Sequence, residues 1–155
     1  IRYPKSAAGE LSQEVAEIKL GKSEVLKEGK DLLVIALGAM VNPSLEAADI
    51  LAKDNIESCV VNARFVKPLD EELLSGLAEK YKLIVTVEDG ILDGGFGSSI
   101  LEFINRPVLR LGLPCDFIPH GKREQLLEKY GLSAKGIAKS IKEKLDKKSG
   151  TFEKA

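Results

Sequence analysis

The chain has 155 residues and a formal net charge of −1, with 44% hydrophobic and 30% charged residues. That length makes one domain, burying about two-thirds of the surface its unfolded form exposes, in an ordinary globular composition. A near-neutral balance supplies no basic field for nucleic acid and no polybasic membrane patch. No apolar run approaches the roughly 20 residues that span a bilayer.

Residues 1 to 14 read as an interdomain segment without periodicity, ending in a small, polar stretch. The opening Ile1-Arg2-Tyr3-Pro4-Lys5 resembles the end of a preceding unit, so the expectation is a domain of a longer polypeptide. The domain proper is expected over residues 15–146. Ile18 to Leu20 and Ser23 to Leu26 flank Gly21-Lys22 and predict a hairpin, or one antiparallel edge strand. Asp31 to Leu37 is a continuous apolar run stopped by Gly38, the pattern of a strand buried on both faces. Asn42-Pro43-Ser44 opens a helix whose inward stripe is Leu45, Ala48, Leu51 and Ala52.

The alternation repeats. Glu57 to Asn62 predicts a second core strand, and Asp70 to Tyr81 a helix with Leu73, Leu74, Leu77 and Ala78 inward. Asp70 suits its N-cap, with Leu69 as a hydrophobic staple. Leu83 to Val87 is a third strand, Phe96 to Asn105 a short helix stopped before Pro107, and Val108 to Leu113 a fourth strand. Lys122 to Tyr130 and Ser133 to Leu145 are closing helices, with Gly131 as a C-cap between them. Residues 147–155 lose the period and are expected to fray. Strand and helix in alternation mean βαβ units, a largely parallel sheet and helices on both faces, to which the early hairpin region could add one antiparallel edge strand.

Several segments fall where such sheets place their sites, at the strand-to-helix edge. Gly95, Phe96, Gly97 and Ser98 open a helix, and backbone amides there suit an anion. The competing reading, favoured here, is that the glycines permit tight turning and close packing. Glu88 and Asp89, with Asp93 nearby, could serve acid–base chemistry or hold a metal; solvated loop acids or an ion pair with Arg64 is the alternative preferred. Arg64 and Lys67 stand in the turn before Asp70 as cations that could meet acids, a partner domain or a substrate. His120 is the only histidine and could act in catalysis, cap a helix or line an interface. Arg2 and Lys5 flank Tyr3-Pro4 and could grip a phosphate or stay solvated. Cys59 and Cys115 are read as free thiols, Cys59 buried. No catalytic constellation assembles from these residues, and two cysteines with one histidine argue against a structural zinc site.

Taken in order, Arg2-Tyr3-Pro4, Gly21-Lys22, Leu26 to Gly29, Ala63 to Asp70, Val85 to Gly90, Gly94 to Ser98, Leu111 to Pro114 and Phe117 to Gly121 resemble the C-terminal domains of 1-deoxy-D-xylulose-5-phosphate synthases. These are thiamine-diphosphate enzymes of the transketolase superfamily, and the resemblance implies a three-layer α/β/α domain around a mixed, mostly parallel five-stranded sheet. The resemblance implies an intact cytoplasmic homodimer that condenses pyruvate with glyceraldehyde 3-phosphate, feeding isoprenoid, thiamine and pyridoxal synthesis. It implies thiamine diphosphate and Mg²⁺ held by preceding thiamine-binding domains, with no cofactor and no metal in this chain. It implies that the piece alone is inactive. It also assigns substrate-phosphate binding to Lys5, where the family carries the second arginine of Arg-Tyr-Pro-Arg-Gly; lysine keeps the charge and loses the bidentate fork. Two alternatives stand beside it: the C-terminal assembly domain of a 2-oxo-acid dehydrogenase β subunit or a transketolase, and an independent anion-binding module using the Gly94 to Ser98 loop.

Overall fold

A computed structural model describes residues 17–149. Five strands form one sheet in the order β1-β3-β2-β4-β5: β1 (Glu24–Lys27), β2 (Leu32–Ala36), β3 (Ser58–Asn62), β4 (Ile84–Ile91) and β5 (Val108–Leu113). β2, β3, β4 and β5 run parallel, and β1 is antiparallel to β3. The helices are α1 (Val41–Ala52), α2 (Glu71–Ala78), α3 (Phe96–Ile104), α4 (Arg123–Lys129) and α5 (Ala134–Ser149).

The apolar run of β2 is fully buried because both of its faces are used. Leu32 and Val34 enter a core with α1 and α5; Leu33 and Ile35 enter a second core with α2 and α3. The other central strands divide the same way, Val60, Val85 and Val87 against Cys59, Val61 and Ile84. This two-residue alternation is why the strands read as continuous hydrophobic segments rather than amphipathic ones. Each fully buried Leu or Ile contributes about 1.5–3 kcal/mol over its exposed state.

Direction in the sheet reverses after β3. The β2-to-β3 step uses α1 on one face; the steps to β4 and β5 use α2 and α3 on the other, as right-handed crossovers require. The carboxyl ends of β2 and β4 therefore diverge into opposite connections, which opens the crevice where α/β sheets bind ligands.

Local signals hold in several places. Asp70 caps α2 by accepting from the Leu73 amide at 3.4 Å, and Leu69 packs in the same core as Leu74. Gly131, at φ +71°, ends α4. Its amide bonds Glu128 O at 3.1 Å and the Leu132 amide bonds Leu127 O at 2.7 Å, the two reversed bonds of a Schellman C-cap.

Other expectations need correction. Residues 18–20 form no strand, so there is no hairpin; Glu24–Lys27 instead joins the sheet edge against β3. α1 begins at Val41 after a 3-10 turn over Gly38–Met40, which shifts its phase. Its buried face is Ser44, Ala47, Ala48 and Leu51, with Leu45 partly buried and Ala52 exposed. Ser44 is tolerated there because its Oγ donates to Met40 O at 2.7 Å. α2 stops at Ala78, before Tyr81. α5 runs on to Ser149, so the expected frayed tail is helical over residues 147–149.

Candidate functional site at the carboxyl edge of the sheet

Glu88 occupies the position that sequence alone offers to an external anion. Its carboxylate is buried and accepts from the Phe96 amide at 2.9 Å and the Gly97 amide at 2.8 Å. Two charge-assisted bonds thus fill the positive end of α3 from within the chain. The expectation that Glu88 is solvated or pairs with Arg64 is corrected: Arg64 pairs with Glu24 at 2.6 Å. Glu88 lies beneath the loop because the residue pattern Glu-Asp-Gly continues β4 past Val87, turning Glu88 inward and leaving Asp89 exposed.

The glycines follow from this carboxylate. A Cβ at Gly95 would lie 2.1 Å from Ile91 O and 2.5 Å from Glu88 Oε2, and one at Gly97 would lie 2.6 Å from Thr86 Oγ1. Close approach, the favoured reading of Gly95, Phe96, Gly97 and Ser98, is what the geometry uses. Ser98 is committed as well: its Oγ donates to Leu92 O at 2.9 Å and accepts from Arg110 at 2.7 Å. An external anion at this helix start would have to displace a tethered carboxylate.

Above this level the edge carries Asp89, which pairs with Arg123 at 3.1 Å. The same guanidinium lies 3.9 Å from the buried Met40 Sδ, beside the 3-10 turn that follows β2. Arg123 was not a sequence candidate; it stands at the start of α4, and only the fold carries it across to β4. His120 is exposed on the connection from β5 to α4. Asp93 is exposed too, and Glu88, Asp89 and Asp93 do not converge. Among the described residues no group of three His, Cys, Asp or Glu could hold a metal ion.

Arg64 to Asp70 serves structure. Arg64 takes φ +58°, its amide bonded to Asn62 Oδ1 at 3.0 Å. Lys67 is exposed. Asp70 is buried and also accepts from the Ser23 amide at 2.9 Å and Lys22 Nζ at 3.2 Å. Burial alone would raise its carboxyl; the Ser23 amide, the Lys22 ammonium and the Leu73 amide outweigh that and hold it below the usual aspartate range. A groove of about 430 Å³ beside it is lined by Lys22, Ser23, Asp70, Glu72, Leu73 and Lys80 among others. Beyond the end of α2, Tyr81 donates to Gly29 O at 2.6 Å. Burial, with the neighbouring Cys59, pushes the Tyr81 phenol up to about 12, and burial raises the Cys59 thiol. Cys59 is a free buried thiol as expected, and Cys115 is free and exposed. Arg2 and Lys5 lie outside the described residues.

Fold and edge together define a doubly wound α/β domain whose carboxyl edge is closed by its own side chains. A family model for the transketolase C-terminal domain matches residues 21–137. The chain belongs to that family. It is 49% identical over 97% of its length to the 1-deoxy-D-xylulose-5-phosphate synthase of Caldanaerobacter subterraneus subsp. tengcongensis, of which it covers 25%. It is 47% identical over 94% of its length to that of Gloeobacter violaceus, covering 24%, and 44% identical over 94% to that of Aquifex aeolicus, covering 24%. The chain thus spans about a quarter of these relatives. Among solved structures it resembles a split-gene transketolase, an inactive β4 tetramer, at TM-score 0.78 and 36% identity over 83% of this chain and 43% of that one. A transketolase from Campylobacter jejuni shares the fold at TM-score 0.63 and 23% identity over 81% of this chain and 19% of that one.

Proposed function

We propose that this chain is the C-terminal domain of a 1-deoxy-D-xylulose-5-phosphate synthase. The intact enzyme would join two carbons of pyruvate to glyceraldehyde 3-phosphate, releasing carbon dioxide and forming 1-deoxy-D-xylulose 5-phosphate, a precursor for isoprenoid, thiamine and pyridoxal synthesis. The observation that carries the reading is the 49% identity sustained over 97% of the chain to a synthase of that name. The two solved transketolases share the fold at 36% and 23% identity.

Thiamine diphosphate with Mg²⁺ would supply the carbanion chemistry from preceding domains. The described residues do not fit that group: the α3 amides are held by Glu88, and no metal-binding cluster stands beside them. This domain is accordingly assigned support, interdomain packing and, through Lys5, a cation for the substrate phosphate. The intact protein would be cytoplasmic and would self-associate as a homodimer; a similar solved chain assembles as a tetramer.

Calorimetry tests the division of labour. Thiamine diphosphate and Mg²⁺ should bind the longer polypeptide that carries this domain and give no heat with the 155-residue chain. Tight binding to the 155-residue chain would contradict it.

A further inference from the structure

We draw no further inference here: the strongest candidate, the groove beside α2 lined by Lys22, Asp70, Glu72, Leu73 and Lys80, carries nothing, because Lys22 already pairs with both Asp70 and Glu72 and nothing in the structure shows what covers the groove.

Discussion

Glu88 and Gly97 are joined by a hydrogen bond of 2.8 Å from the Gly97 amide to the buried carboxylate, with the Phe96 amide bonded beside it at 2.9 Å. One side chain from within β4 thereby caps α3 and closes the loop between them.

Replacing Glu88 should therefore act on stability rather than as a surface change. Glu88→Ala leaves two buried amides unpaired and should cost about 3 kcal/mol in denaturant unfolding. Glu88→Gln keeps an acceptor but sets an NH₂ against a donor, and should cost about 1–2 kcal/mol. Gly95→Ala should be comparably damaging, since its Cβ would meet Ile91 O and Glu88. Unfolding midpoints unchanged in all three would show that the carboxylate is not the cap.

Asp70 sets an acid limb. Its carboxyl is held below the ordinary value in the fold, so its contribution is present above the unfolded value of about 4 and is lost as pH falls through the folded one. Asp70→Asn should lower stability at neutral pH by about 1 kcal/mol and flatten the decline below about pH 4. Parallel pH–stability curves for the two proteins would contradict this.

Tyr81 sets the opposite limb. Its phenol is raised to about 12, so the fold favours the protonated form. Its contribution is complete below the unfolded value of about 10 and disappears as pH rises from there toward about 12. Tyr81→Phe should cost about 1 kcal/mol at pH 7 by leaving Gly29 O unpaired. It should also lose part of the alkaline sensitivity, read by circular dichroism between those pH values.

The role proposed for Lys5 bears on substrate rather than stability. In the intact enzyme Lys5→Ala should raise KM for glyceraldehyde 3-phosphate about tenfold or more while KM for pyruvate stays put, the pattern of a lost binding contact. Lys5→Arg should restore most of it. An unchanged KM for the aldehyde in Lys5→Ala would remove Lys5 from the site.

What could be read before folding was what depends on near neighbours. The buried strands announced themselves because Leu32 to Ala36 and Ser58 to Val61 use both faces, and Asp70 and Gly131 because caps are local chemistry. The carboxyl edge was less legible. Glu88 looked like a loop acid because β4 extends beyond its apolar run, to Ile91, and its partners lie eight and nine residues on. Arg123 reaches Asp89 and Met40 only through the sheet order, which no local pattern encodes. The Lys22–Asp70 contact, 48 residues apart, is of the same kind.

The most direct measurement is identification of the product formed by the longer polypeptide carrying this domain. It would be supplied with thiamine diphosphate, Mg²⁺, pyruvate and glyceraldehyde 3-phosphate, and read by mass spectrometry. The expected result is 1-deoxy-D-xylulose 5-phosphate with equimolar carbon dioxide, formed only when both substrates are present. Carbon dioxide release with no dependence on the aldehyde, or ketol transfer between sugar phosphates instead, would contradict the assignment.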